Sequence, residues 1–243
     1  MNGKKLLVVG AHSADWIWRS SGTIAKYVAN GAEVQVVCLS YGVRGESASL
    51  WVTPGQTVEN VKNLRYQEAL DAANSLGVAK LEIWDFDDCM LEISSEVLQK
   101  LNEKIREFNP SLIITHDEKD NINPDHGFAS EIVYRAAIMA TQNGIPSNEL
   151  EPVGALPIYG FEASESERSG FIPDIYIDIT AVYDKKLAAM HCVKAQKLGP
   201  TIHERTNAHR GFQASRYTGN KDTKYCEAFR MRYPLILEEL PTR

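Results

Sequence analysis

Short, nearly unbroken apolar runs alternate along this chain with segments whose apolar positions recur every third or fourth residue, and that alternation predicts a parallel α/β sheet. Residues 5–10 (KLLVVG) read as a first strand, apolar as a strand buried on both faces must be. A helix is expected over 21–29, stopped by Asn30 and Gly31, and 33–40 reads as a second strand. Residues 41–56 hold three glycines and a proline, a loop whose length points to function or mobility. Thr57 then caps a helix with Val58, Val61, Leu64, Ala69, Ala72, Ala73 and Leu76 on one stripe, ended by Gly77. A third strand follows over 81–86. Ser94 or Ser95 caps the next helix, whose inner face is Val97, Leu98, Leu101, Ile105 and Phe108 and whose end is Asn109-Pro110. Residues 111–115 (SLIIT) make a fourth buried strand, and a polar loop, 116–124, leads into a helix over 125–142. The last third is less regular. Strands are expected at 155–161 and 175–179, a helix over 180–197, and a polar, arginine-bearing loop over 199–222, placed over the site. One α/β domain spanning 1–243 is the economical reading.

Composition narrows the function classes. An apolar share of 44% and a charged share of 24% are ordinary globular values, which excludes a disordered chain. With 26 basic against 32 acidic residues the net charge is −6, so a general nucleic-acid binder, which needs a clustered basic surface, is excluded too. Anionic ligands must be met by a few local arginines. No apolar run approaches the roughly 20 residues of a membrane span, and the stretch after Lys4-Lys5 is too short for a secretory leader. Cys38, Cys89, Cys192 and Cys226 are widely spaced with no C-x-x-C pair, and read as small hydrophobes in a reducing cytosol. A cytoplasmic protein, assembled as a homo-oligomer, is expected.

In an open parallel sheet, ligands bind beyond the carboxyl ends of the strands. Two histidine-bearing segments fall there: Gly10-Ala11-His12-Ser13-Ala14-Asp15 after the first strand, and Asn123-Pro124-Asp125-His126 after the fourth. His12, Asp15 and His126 form a two-histidine, one-carboxylate set, suited to zinc with an open position. Spacing alone leaves the alternatives open. Each histidine also reads as a hydrogen-bonded turn residue, and Asp15 as a helix cap. A dinucleotide site is not indicated, because Gly10 lacks the rest of G-x-G-x-x-G.

The segment A-H-S-A-D-W-I-W-R-S-S-G-T-I-A, 11–25, resembles the A-H-P-D-D-E…G-G-T motif of the LmbE/PIG-L zinc deacetylases, and Asn123 to His126 resemble their H-P-D-H. Arg65-x-x-Glu68 and the stretch from Asp178 to Gln196 are similar as well. The resemblance implies a Rossmann-like three-layer α/β/α fold with a mostly parallel sheet, and Zn2+ held by His12, Asp15 and His126. Two departures stand out. Ala14 occupies the position of the family's general base, and Asn123 that of its assisting histidine; neither moves a proton near neutral pH. One branch of the family, the 4-oxalomesaconate hydratases of aromatic-acid catabolism, shares both departures. It is resembled further in V-C-L-S-Y-G-V-R-G-E-S-A-S-L-W (37–51), K-D-N-I-N-P-D-H (119–126) and D-I-T-A-V-Y-D-K-K (178–186).

A hydratase needs an activated water, a cation for the developing enolate and partners for the substrate's carboxylates. The resemblance makes Glu46 the proton acceptor that replaces the base lost at position 14. Arg44 is the expected carboxylate clamp, since guanidinium grips carboxylate bidentately. Arg205, Arg210 and Arg216 are candidates to close over the substrate, with Asn123 as a hydrogen-bonding contact. Asp125 is expected to orient a metal ligand or a neighbouring group, and His116 either to shuttle a proton or to bond the backbone at the strand end. The expected reaction is hydration of an unsaturated oxo-polycarboxylate, 4-oxalomesaconate to 4-carboxy-4-hydroxy-2-oxoadipate. Its competitors are a zinc-dependent N-deacetylase acting on an N-acetyl sugar or conjugate, and a metal-retaining binding protein without turnover.

Overall fold

Alternation of side chains along β1 (Lys5–Gly10) builds the molecule's two cores. Leu6 and Val8 face one layer of helices and Leu7 and Val9 the other, and all four are fully buried. The first layer contains α1 (Asp15–Ala29), α2 (Val58–Leu76) and, after the one-turn α5 (Ser166–Ser169), α6 (Tyr183–Cys192); α1, α2 and α6 contribute Trp16, Ile24, Leu76 and Met190. The second contains α3 (Ser95–Phe108) and α4 (Pro124–Ala140), contributing Val97, Leu101, Ile105, Ile132 and Val133. Each such side chain removed from water stabilises the fold by about 1.5–3 kcal/mol before entropy is counted.

The computed structural model describes residues 3–239. Among them the sheet has seven strands, adding β2 (Glu33–Cys38), β3 (Lys80–Ile83), β4 (Leu112–His116), β5 (Ile158–Phe161), β6 (Ile175–Asp178) and β7 (Cys226–Met231). Their order is β3-β2-β1-β4-β5-β7-β6. The pairs β1–β2, β2–β3, β1–β4 and β4–β5 are parallel, whereas β7 runs antiparallel to both β5 and β6. This is the expected three-layer α/β/α arrangement with a mostly parallel sheet. Strand order reverses between β1 and β4, so the chain diverges there and leaves a crevice at their carboxyl ends. No helix among the described residues is long and apolar enough to cross a membrane.

Several local signals act as read. Thr57 accepts the Asn60 N–H at 3.2 Å and Ser94 that of Val97 at 3.2 Å, capping α2 and α3. Gly77 and Asn109 close the same helices in the left-handed region, at φ 75° and 47°. On α2, however, Val58 and Leu64 are exposed, and the inward positions between Val61 and Ala69 are taken by Arg65 and Glu68.

Four segments depart from expectation. Helix α1 begins at Asp15, not residue 21: the Ser20 and Ser21 hydroxyls, apparent cap signals, instead donate back to Trp16 and Ile17 carbonyls inside the helix. The helix expected over 180–197 is a 3₁₀ turn, Thr180–Val182, followed by α6, which stops at Cys192. Glu68 takes the N–H groups of Lys194 and Ala195, both at 2.8 Å, and so withdraws them from any helical ladder. The expected loop over 199–222 is mostly helix, α7 (Gly199–Thr218). Its inward face is Asn207, Arg210, Gly211 and Ala214, so no apolar stripe reveals it. The cues present were Pro200 in its first turn and Gly219 at its end. Finally, β7 was not anticipated. The four cysteines are free thiols; Cys38 and Cys226 are buried as expected, but Cys89 is exposed and Cys192 only partly covered.

Candidate functional site

The turn after β1 is pinned to the neighbouring strand before any side chain acts. Leu39 and Ser40 N–H groups donate to the Gly10 and Ala11 carbonyls, both at 2.9 Å, and the Ser13 hydroxyl to that of Tyr41 at 2.9 Å. Within this turn the His12 N–H donates to Asp15 Oδ2 at 2.7 Å, holding the carboxylate over the end of the sheet. The other half comes from beyond β4. Asn123 caps α4 by accepting the Asp125 N–H at 3.1 Å, with Pro124 following it, so that His126 sits in the helix's first turn.

These two turns bring His12, Asp15 and His126 together, all buried, with one ligand atom from each within 4.8 Å of the others. His12 Nδ1 lies 3.2 Å from Asp15 Oδ2, and His126 Nε2 lies 3.5 Å from Asp15 Oδ1. The far side of each imidazole is held by a carboxylate. His12 Nε2–H donates to Asp125 at 3.2 Å and His126 Nδ1–H to Asp120 at 2.8 Å. That leaves the inner nitrogen of each ring turned towards Asp15, the arrangement of metal-ligating histidines. His126 Nε2 is buried with no hydrogen-bond partner. An orphaned nitrogen of that kind is costly unless something coordinates it, so the residues present fit a divalent cation.

Burial would lower the His12 imidazole, but Asp15, Asp125 and Glu46 outweigh it and raise the ring well above its ordinary value, so a cation taken up at Nδ1 displaces a proton. Burial alone would raise the carboxyl of Asp15, but His126, His12 and His116 outweigh it and hold the group well below its ordinary value. Asp125 is likewise held low against burial by the His12 hydrogen bond and the Cys89 N–H, and Asp120 by the His126 hydrogen bond and the Ser164 N–H. Both second carboxylates are thus anionic partners for the imidazole N–H groups.

The cleft above the cluster encloses about 630 Å³. Glu46 lies in its wall, where the sequence places the proton acceptor. Its Oε1 accepts from Asn123 Nδ2 at 2.8 Å and is 3.9 Å from His12 Nδ1, while Oε2 accepts from Gln196 Nε2. Gln196 is fixed in turn by the Trp18 indole N–H at 3.1 Å, and its loop by Glu68. Arg65 closes this frame, donating to Glu68 at 3.0 Å and to the Tyr41 carbonyl at 3.4 Å. Ala14 is buried in the core and offers the cleft no acceptor.

Other expected roles do not match the positions found. Arg44 gives its fork to Asp87 through two 3.0 Å bonds, half-exposed and outside the cleft wall, although its neighbours Gly45 and Glu46 line it. Arg210 is buried against Glu162, and Arg205 and Arg216 are exposed along α7; none lines the cleft. What α7 does contribute is its first turns, through Gly199, Ile202 and His203. His116 lies behind Asp15. It accepts the Ala11 N–H at 3.0 Å, stacks on His126 at 4.1 Å, and is pushed down to about 3, first by burial and then by His126. It does not line the cleft, and its Nε2 lies 3.1 Å from Asp15 Oδ2, so it stands as a backbone-bonded strand-end histidine behind the ligand.

Four participants escaped the sequence reading: Asp120, Gln196, Arg19 and His203. Asp120 carried a usable signal, an acid six residues before His126 in the same polar loop. The others lie far from the metal segments in the chain or, like Arg19, inside a helix read as beginning later.

Residues 7–137 match the family model of PIG-L, GlcNAc-PI de-N-acetylase. Over 98% of this chain and 92% of the relative, the sequence is 38% identical to the 4-oxalmesaconate hydratase of Pseudomonas putida KT2440. A probable N-acetyl-alpha-D-glucosaminyl L-malate deacetylase 2 of Bacillus cereus is 29% identical over 79% of this chain and 84% of its own. Among solved structures, GalB, the 4-carboxy-2-hydroxymuconate hydratase from Pseudomonas putida KT2440, superposes with a TM-score of 0.93 at 37% identity, covering 98% of this chain and all of that one.

Proposed function

The chain belongs to the PIG-L family, and from that premise we propose that it is a zinc-dependent hydratase converting 4-oxalomesaconate to 4-carboxy-4-hydroxy-2-oxoadipate in aromatic-acid catabolism. The two substrate names given to the Pseudomonas putida hydratase describe keto and enol forms of one tricarboxylate, so they support a single reading. The observation that carries it is the exchange of acid–base groups around a retained cluster. Position 14 is a core methyl group, and the carboxylate beside the ligands is Glu46, supplied by the loop after β2 and tethered by Asn123.

His12 Nδ1, Asp15 and His126 Nε2 would hold the ion. When bound, zinc supplies Lewis acidity, which makes a water more acidic and polarises the substrate's oxo group. The chain's own residues do the rest. Hydration adds a hydroxyl to one alkene carbon and a proton to the other, without redox change, so one carboxylate can accept and return the proton. Glu46 takes that role: each of its oxygens accepts one amide hydrogen bond and has a further lone pair for the incoming proton. Asn123 and Gln196 keep it aimed, because both amides are anchored elsewhere, one to the α4 N-terminus and the other to the Trp18 indole.

An amide hydrolase built on this scaffold would need a base at position 14 and a proton donor at 123, and the side chains there supply neither. The deciding experiment follows the ultraviolet absorbance of the conjugated substrate in metal-loaded and chelator-treated enzyme. Loss of absorbance only in the loaded sample, with no release of acetate from N-acetylglucosaminides, is the expected result. Ordinary enzymatic deacetylation with an inert 4-oxalomesaconate would overturn the assignment.

A further inference from the structure

The cleft continues past the metal cluster. Trp18, Arg19, Ile122, Ser164, Ile202 and His203 line its outer wall and also a second hollow of about 310 Å³, so the two form a passage with these residues at the waist. The inner part is strongly acidic: Asp15, Glu46 and Asp125 all reach it. A divalent ion offsets two of those charges, yet a substrate with three carboxylates still enters a cleft lined by carboxylates. Like charges brought that close in a low-dielectric cleft repel one another strongly. Some fixed cation must face the end of the substrate that the metal does not reach.

Arg19 is the arginine of that wall, and its surroundings are unusual for this molecule. Its Nη1 donates to the Glu162 carbonyl and its Nη2 to the Ser164 hydroxyl at 2.9 Å, both neutral acceptors. Its Nε–H is buried without a partner. Among the described residues no carboxylate forms an ion pair with Arg19, whereas Arg44, Arg65, Arg210 and Arg230 each have one. A partly buried guanidinium in the cleft wall, held by neutral acceptors and lying 5.8 Å from the centre of the Phe161 ring, keeps its charge available to an anion. The His203 ring stacks on Trp18 at 5.4 Å and 6° beside it. Burial, then the charges of Arg19 and Lys186, push that imidazole well below its ordinary value, so it adds an N–H to the wall without competing as a second cation.

We propose that Arg19 is the specificity-determining residue that binds the substrate carboxylate furthest from the reacting double bond, at the waist of the cleft. This deepens the hydratase reading and rests on it for the identity of the substrate. The anion-binding part does not depend on turnover. In the fold's logic the turn of α1 after Asp15 thus serves twice, its start holding the metal ligand and its next turn the distal carboxylate.

The test uses Arg19→Gln, which keeps donors for the Glu162 carbonyl but removes the charge, and Arg19→Lys, which keeps the charge but loses the fork. With the metal-loaded enzyme, Arg19→Gln should raise KM for 4-oxalomesaconate about 30-fold or more, with kcat changed less than threefold and metal content unchanged; Arg19→Lys should raise KM about tenfold. An analogue with the distal carboxylate converted to an amide should lose the same factor on the wild type and almost none on Arg19→Gln. Calorimetry with propane-1,2,3-tricarboxylate, which cannot react, gives the independent arm: binding to the wild type and at least tenfold weaker binding to both variants. Tricarboxylate binding lost on substitution, in a protein that does not hydrate 4-oxalomesaconate, would overturn the substrate while keeping Arg19 as an anion site. Unchanged KM and unchanged tricarboxylate binding in a folded Arg19→Gln protein, or in Arg19→Lys should the first fail to fold, would overturn the role of Arg19 alone.

Discussion

At the scale of single residues, two carboxylates that never meet the metal decide whether the cluster works. Asp120 and Asp125 take the outer N–H of His126 and His12, so the inner nitrogens face Asp15. His126→Ala should therefore abolish tight zinc binding, measured as metal per chain after dialysis, whereas Asp120→Asn should retain the ligand set but weaken affinity about 10–100-fold. Full metal affinity in Asp120→Asn would mean that His126 is oriented by packing alone, its stacking on His116 included. Glu46 has a different signature. Glu46→Gln preserves length and much of the bonding to Asn123 and Gln196 but cannot accept a proton, so kcat should fall by about 10²-fold or more with the metal still bound. Near-normal turnover would remove Glu46 from the reaction. The ligands and Glu46 were legible in the chain because each lies in a short segment with its own signature. Asp120 and the true position of Arg44 were not, because an acid in a polar loop and an arginine beside Gly45 look the same whether they face a cleft or an outside partner.

At the scale of elements, what was legible followed the periodicity. Helices α2 and α3 announced themselves through cap residues and left-handed stops, and β1 and β4 through unbroken apolar runs. Helix α7 hid because its buried face is polar and small. Its close approach to the chain before β7 depends on Gly211: a Cβ there would lie 2.1 Å from the Lys224 carbonyl oxygen and 2.6 Å from the Tyr225 nitrogen, both backbone atoms that cannot swing aside. Gly211→Ala should accordingly destabilise the protein at or beyond the upper end of the usual overpacking cost of about 1–3 kcal/mol. Because the first turns of α7 carry Ile202 and His203 into the cleft, KM should rise as well. Gly219→Ala provides the contrast. Unlike Gly211, that residue has positive φ, 73°, but open space around it, so only backbone strain of about 1–2 kcal/mol is expected, without a kinetic effect. Thermal denaturation and steady-state kinetics on the pair separate the two costs; equal losses would mean that α7 can shift away from β7 freely.

At the scale of the whole molecule, the alternation of strands and helices predicts the parallel part of the sheet and places the site at the carboxyl ends of β1 and β4, where strand order reverses. It does not show how the last third attaches, because that attachment is polar and buried. Lys186 of α6 is fully buried and donates to the Trp18 carbonyl at 2.7 Å and to Glu227 of β7 at 2.6 Å. Glu227 in turn accepts the N–H groups of Gly22 and Thr23 at 2.8 and 2.7 Å, inside α1. A pair of ions therefore stands where the α1 ladder would otherwise run from Gly22 to Trp18, and it ties the first helix to elements more than 160 residues later in the chain. Burial lowers the Lys186 ammonium from its ordinary value, and Glu227 opposes that shift without cancelling it, which marks a charge kept only by its partner. Lys186→Met fills the space but strands the Glu227 carboxylate, so it should cost about 3–5 kcal/mol, a large share of a typical total stability of about 5–15 kcal/mol. Glu227→Gln in the same chain removes the stranded charge while retaining an oxygen for the α1 N–H groups, and should recover about 1–3 kcal/mol of that loss. Urea denaturation of the two single variants and the double reads the coupling directly. Additive losses would show the ions acting independently, and the joint between α1, α6 and β7 would then rest on apolar packing, not on this pair.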